Sequence, residues 1–197
     1  MRFWILLLAL SFFPMASSAE DPRLSNVLMV RPLELDTFTQ MLIQRQLTHI
    51  GKTYPELSAR LPLPNINVAT EAYMKDLYKR LSDKEAKVEA LYVHTDVDPL
   101  TNEEIQSRTI YLSIEWAPDN AVKRALLYHE LVHYVQYMNL LDMVVDCVEV
   151  LEFHAYEATA TYLVEVEGLS DRDLNVIENR RDATAQGACP EKVKHSK

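Results

Sequence analysis

Apolar residues recur along this chain with two periods, one near 3.6 and one of two, and the alternation between them outlines the fold. Leu35, Phe38, Met41 and Leu42 fall at helical spacing and predict a first helix from Glu34 to about Ile50, ended by Gly51. Before it, residues 20–32, with Pro22 and Pro32, read as an extended lead-in; after it, the proline-rich stretch from Tyr54 to Pro64 reads as irregular. Ile66 and Val68 alternate with Asn65 and Asn67, the signature of a short strand. Thr70 is placed to cap a helix whose stripe is Met74, Leu77, Tyr78 and Leu81.

Two further strands follow, Val88 to His94 and Thr109 to Trp116, with turn chemistry between them from Asp96 to Asn102 that suits a hairpin. In the second, Ile110, Leu112 and Ile114 point to one face and Tyr111, Ser113 and Glu115 to the other. Pro118, Asp119 and Asn120 start a helix that runs to about Asn139, and a second long helix spans about Val148 to Glu167, stopped by Gly168. Ser170 caps a last helix through roughly Ala183, and the tail from about Gly187 to Lys197 reads as loose. Helices, a small sheet, then helices again make an α+β class.

The start of the chain changes the compartment. Arg2, an apolar run from Phe3 to Phe13, Pro14 and the small residues Ala16 to Ala19 have the layout of a secretory signal peptide, residues 1–19, with cleavage expected after Ala19. The apolar run is too short to cross a bilayer, and no later segment is long and apolar enough to do so. The expectation is an exported, periplasmic or secreted protein with one domain over residues 20–197 and no membrane span after cleavage. A net charge of −9 with scattered basic residues argues against a nucleic-acid partner. Export makes a disulfide between the chain's two cysteines, Cys147 and Cys189, the favoured pairing over two free thiols.

The run His129-Glu130-Leu131-Val132-His133 matches HExxH, in which two imidazoles one helical turn apart bind zinc and the enclosed glutamate works on water. Val122, Ala125, Leu126, His129, Val132, His133 and Gln136 share one helical face, so both histidines lie on the buried stripe. A lone buried histidine is usually a hydrogen-bonded core residue; two of them four apart around a glutamate favour a metal. A metzincin would need a glycine and a third histidine where this chain has Gln136 and Asn139, which excludes that pattern. The following helix offers Glu149, Glu152 and Glu157. Its stripe reads Val148, Leu151, Glu152, Ala155, Thr159, Tyr162, Leu163 and Val166, with Glu152 its single charge. A carboxylate on an apolar face costs several kcal/mol unless a partner such as a metal offsets it. Glu157 falls on the wetter side, and Glu149 is a candidate to orient a histidine.

HExxH followed 19 residues after His133 by Glu152, in the run Glu152-Phe-His-Ala-Tyr156, resembles the gluzincin group of zinc peptidases, and within it the small single-domain bacterial minigluzincins. The resemblance spans roughly residues 60–165. It implies a zincin-like domain with a short mixed sheet packed on the HExxH helix, one zinc ion held by His129, His133 and Glu152, and Glu130 as catalytic base acting on a peptide or protein substrate. It also implies that the strand at 109–115 is the edge along which an extended peptide lies. Thermolysin-like members carry an aspartate four residues after the third ligand to support a zinc histidine, and here that position is Tyr156.

On this reading zinc activates a water and Glu130 takes its proton. Tyr111, Tyr128, Tyr134, Tyr156 and His154 are the candidates for oxyanion contact. An alternative is a non-catalytic or latent zinc-binding protein, motivated by the small size, the missing aspartate at 156 and a tail that a Cys147–Cys189 bridge would hold near the site. A third reading is a helical structural domain without metal.

Overall fold

The computed structural model describes residues 29–57, 61–82, 88–93, 108–139, 148–169 and 174. The signal segment, His94, the turn at 96–102, Cys147, Cys189, the helix expected from Ser170 and the tail lie outside the described residues, Leu174 apart. Within them the order is β1 (Val30–Pro32), α1 (Thr37–Thr53), β2 (Asn65–Ala69), α2 (Glu71–Ser82), β3 (Ala90–Val93), β4 (Thr109–Ser113), α3 (Ala121–Met138) and α4 (Val148–Glu165). The class is α+β, as expected.

The sheet order is β1-β2-β4-β3, with β2 and β4 parallel and the other two pairs antiparallel. Ile66 lies opposite Ile110 and Val68 opposite Leu112, while β3 sets Tyr92 against Ile110 and Ala90 against Leu112. This register puts Ile66, Val68, Ala90, Tyr92, Ile110 and Leu112 on one face, in a core shared with Leu42 and Ile43 of α1, Leu126 and Leu127 of α3 and Leu151 of α4. The opposite face carries Ala69, Leu91, Val93 and Tyr111, which meet Tyr73, Met74, Leu77 and Tyr78 of α2. Among the described residues the sheet is therefore covered on both sides, by α2 on one and by three helices on the other. β3 and β4 pair antiparallel, as the expected hairpin requires, but both strands are shorter than their apolar runs.

Element ends follow capping chemistry more closely than they follow the stripes. Helix α1 begins after Asp36, whose Oδ1 accepts from the Thr39 N–H at 2.7 Å, so Glu34 and Leu35 stay outside it. It also runs through Gly51 to Thr53, where the expected stop does not occur. Buried Ile50 and the Tyr54 hydroxyl, which donates to the His154 carbonyl at 3.0 Å, anchor that last turn and outweigh glycine's helix cost of about 1 kcal/mol. The lead-in contains β1, which pairs with β2 as an outer strand, where the missing N–H of Pro32 is tolerated. Thr70 caps α2 as expected, its Oγ1 accepting from Tyr73 N–H and Met29 N–H.

Helix α3 starts at Asn120, whose side chain accepts from the N–H groups of Val122 and Lys123 at 2.9 and 3.1 Å. Every residue from Ala125 to Tyr137 is buried, so the predicted single stripe understates it: the sheet, α1 and α4 enclose this helix. By contrast, Val166, just past the end of α4, is 52 % exposed although its spacing put it on the apolar face, while Tyr156 and Ala158 of α4 are buried. The chain leaves α4 through Gly168, at φ +67°, and returns the Leu169 N–H to the Leu163 carbonyl at 3.0 Å.

An ion pair ties the start of α3 to the end of α4. Arg124 Nε donates to Glu167 Oε1 at 2.7 Å and its Nη2 to Oε2, and the Tyr162 hydroxyl donates to Oε1 at 2.7 Å. The Arg124 guanidinium first, and the Tyr162 hydrogen bond after it, hold the Glu167 carboxyl below its ordinary range against the opposing effect of burial. A depressed folded-state pKa contributes stability that is fully present above the unfolded value, about 4.3, and is lost as pH falls through the folded value. Glu167→Gln is therefore expected to destabilise the protein by roughly 1–2 kcal/mol at neutral pH. The gap between variant and parent should close below about pH 4 in denaturant titrations; a gap that is constant down to pH 3 would contradict this role.

Candidate metal centre

The two long helices bring together the residues singled out by spacing. On α3, His129 and His133 turn their Nε2 atoms to within 3.0 Å of each other. From α4, Glu152 Oε2 reaches to 3.5 Å from His129 Nε2 and 3.6 Å from His133 Nε2. All three residues are buried, with 1 %, 1 % and 8 % of their surfaces exposed.

The partners of the other ring nitrogens decide what these three atoms can be. Gln136 Nε2 donates to the Leu151 carbonyl at 3.0 Å, so its Oε1 is the atom that faces His133 Nδ1 at 2.8 Å, and His133 must carry its proton on Nδ1. Thr159 donates its single hydroxyl hydrogen to the Ala155 carbonyl at 2.7 Å. It therefore accepts at 3.3 Å from His129 Nδ1, which is protonated for the same reason. Both Nε2 atoms thus present lone pairs to each other and to a carboxylate. Neither Glu152 oxygen has a hydrogen-bond partner among the described residues. Three converging lone pairs in a buried site repel one another unless a proton or a metal cation lies among them. A point equidistant from atoms at these separations is about 2 Å from each, the bond length of a nitrogen- and oxygen-ligated metal. His129, His133 and Glu152 therefore form a buried group able to hold a metal ion.

The electrostatics agree. Burial by itself would lower the His133 pKa, but Glu152, then Glu130, then the bond to Gln136 hold it above the usual range. Burial alone would raise Glu152, yet His133 and His129 more than cancel that and keep it ionised. The pocket favours positive charge. Glu130, one residue after His129, is 1 % exposed; burial pushes its carboxyl up to about 8, raised further by Glu152 and opposed by His133 and by a hydrogen bond from the Tyr92 backbone N–H. Its Oε1 has no hydrogen-bond partner among the described residues.

A family model described as a domain of unknown function, DUF6647, matches residues 39–191. The chain belongs to the DUF6647 family. No curated protein and no solved structure matches it. His129, Glu130, His133 and Glu152 all lie inside the matched span of the DUF6647 domain, as do Gln136 and Thr159.

Of the five candidates for oxyanion contact, the DUF6647 domain places only Tyr156 against the cluster, its ring centroid 4.7 Å from that of His129. Tyr128 faces the other way and bonds His49 Nδ1 at 2.8 Å, and Tyr134 donates to the Pro62 carbonyl at 2.7 Å. Tyr111 sits on the α2 face of the sheet with Tyr73, and His154 is exposed beside Glu157. Glu149 is not the residue that orients either histidine, since Thr159 and Gln136 hold both Nδ1 atoms. In the sequence Gln136 stands on the buried face of its helix and at the glycine position of another pattern, and Thr159 at a core position; their spacing of three after His133 and seven after Glu152 is the signal that points to them.

The strand at 109–115 is not an edge. β4 is hydrogen-bonded to β2 on one side and β3 on the other, so it has no backbone groups left to pair with a peptide. Among the described residues the edge near the site is β3. Glu89, just before it, gives its carbonyl to Ser113, so Ala90 and Tyr92 direct their backbone groups away from β4 by strand alternation. The Tyr92 N–H meets Glu130 there. All four residues of β3 are buried.

Proposed function

We propose that this protein is an exported zinc-dependent metallopeptidase. The observation that carries the reading is the convergence of two imidazole lone pairs and an unpartnered buried carboxylate, with Glu130 one residue round the helix from the first histidine. Two nitrogens and one oxygen suit zinc and leave one tetrahedral position for water. A zinc ion held there would supply Lewis acidity and a lowered pKa for that water. His129 and His133, fixed as Nδ1–H tautomers, and Glu152 would hold it.

Glu130 is the proton carrier in this scheme. It would accept a proton from the attacking water and release it to the leaving amine, and the burial that raises its carboxyl helps it to hold that proton between the two steps. The Tyr92 N–H keeps the carboxylate in place, and its unpartnered Oε1 is the atom positioned to receive the proton. An extended peptide would take backbone hydrogen bonds along β3 rather than along the strand at 109–115.

A second reading, a latent or non-catalytic zinc-binding protein, is favoured by one observation. Glu130, both histidines and the whole of β3 are buried, so a peptide reaches the site only after something moves. Metal content after dialysis, together with cleavage of an unstructured peptide by the full chain and by a chain cut after Ala185, separates the readings. One bound zinc with cleavage supports the peptidase, and cleavage only after truncation supports latency. Zinc without cleavage in either form supports binding alone, and no bound metal sinks both.

A further inference from the structure

The metal ligands come from two helices, and something must set the rotation of α4 about its own axis. A slip of one residue turns a helix by about 100° and would carry Glu152 away from the histidines. The apolar contacts of Leu151, Ala155 and Ala158 with α3 do not fix that angle, since apolar burial is non-directional. A hydrogen bond does.

Gln136 supplies one. Its side chain is 2 % exposed and both ends of its amide are used, with Oε1 on His133 Nδ1 and Nε2 on the carbonyl of Leu151, the residue next to Glu152. Leu151 lies in the first turn of α4, and its carbonyl has a second lone pair beyond the one that accepts from within the helix. One amide thus touches a metal-facing imidazole of α3 and the backbone beside the third donor in α4. His129 is held differently: its Nδ1 donates to the Thr159 hydroxyl of α4, which is itself bonded within that helix, to Ala155.

We infer that Gln136 is a positioning residue with a double attachment: Oε1 selects the His133 tautomer that turns Nε2 to the metal, and Nε2 sets the rotation of α4 that delivers Glu152 to the same point. The two halves separate chemically. Gln136→Glu keeps an acceptor for His133 Nδ1–H and loses the donor to Leu151, whereas Gln136→Met, of similar length, loses both.

The test uses the full chain and two readouts. Cobalt(II) titration followed by ligand-field absorption reports affinity and ligand geometry, and side-chain 15N shifts of His133 in the metal-free protein, recorded at a pH at which the ring is neutral, report the tautomer. The inference rests on the metal-binding reading, but the tautomer measurement does not. A wild-type chain that binds no cobalt yet holds His133 as Nδ1–H, with a mixture in Gln136→Met, sinks the metal reading and leaves the tautomer half standing.

With cobalt bound by the parent, Gln136→Met is expected to lose affinity 10–100-fold and to show mixed tautomers. Gln136→Glu should keep the Nδ1–H form and bind between the parent and Gln136→Met. Unchanged affinity and tautomer in Gln136→Met overturn the inference, as does Gln136→Glu binding worse than Gln136→Met. Should Gln136→Met fail to fold, Gln136→Glu alone decides. Retained Nδ1–H with a weaker cobalt complex supports the double attachment; a changed tautomer, or an affinity equal to the parent's, refutes it.

Discussion

Glu130→Gln is expected to lower peptide hydrolysis by about 10²–10⁴-fold while leaving the metal content unchanged. Glutamine has the shape of the side chain that it replaces, and its carbonyl oxygen can still accept from the Tyr92 N–H. What it cannot do is accept a proton from water. Glu130 is also not one of the three converging donors, so a metal ion loses no ligand. The variant relieves a cost as well, since it removes a carboxyl that burial has pushed up to about 8. Initial rates on an unstructured peptide, with metal measured on the same sample, check the prediction. Full activity in Glu130→Gln removes Glu130 from the mechanism, and loss of metal together with activity makes it a structural part of the site.

Glu152→Ala is expected to have the opposite profile, in which the metal goes and its stabilisation goes with it. An ion that binds only the folded chain stabilises it by about 4 kcal/mol at a free concentration a thousand times Kd. At roughly 2–4 °C per kcal/mol for a chain of this size, adding zinc should raise the parent's melting temperature by about 10 °C. In Glu152→Ala the two histidines remain but the carboxylate does not, and the rise should vanish; Glu130→Gln should keep it. Thermal melts with zinc and with chelator, run on the three proteins side by side, make the comparison. A zinc response in Glu152→Ala equal to the parent's would place the third ligand elsewhere.

The periodic parts of the chain were legible because burial on one face leaves a period. The strands around Ile66, Leu91 and Leu112 and the helices at 71–82, 121–138 and 148–165 follow from apolar spacing, and Asn120 and Thr70 start helices where their side chains can accept. His129, His133 and Glu152 were legible for a related reason: a charge or a pair of imidazoles on an apolar face needs a partner, and one metal ion could serve all three.

What spacing does not encode is order in space. Strand 109–113 reads as a good strand whether it lies at an edge or in the middle, and only its pairing with β2 shows that it is central. Gly51 looked like a stop because the anchor that extends α1 is Tyr54 reaching His154, a hundred residues away. Gln136 and Thr159 escaped notice because a neutral side chain on an apolar stripe resembles packing until its hydrogen-bond partners are seen.

The complete enclosure of α3 has a kinetic consequence. A helix buried on every side from Ala125 to Tyr137 exposes its backbone amides only when the core around it comes apart, so these should be among the last to exchange with deuterated solvent. His129 and His133 therefore stand on the slowest-opening part of the protein, and Glu152 stands on a helix fastened to it by Gln136 at one end and Arg124 at the other. An ion held between them would leave at the rate at which α4 lets go, and its residence time would be a clock for the opening of a single helix.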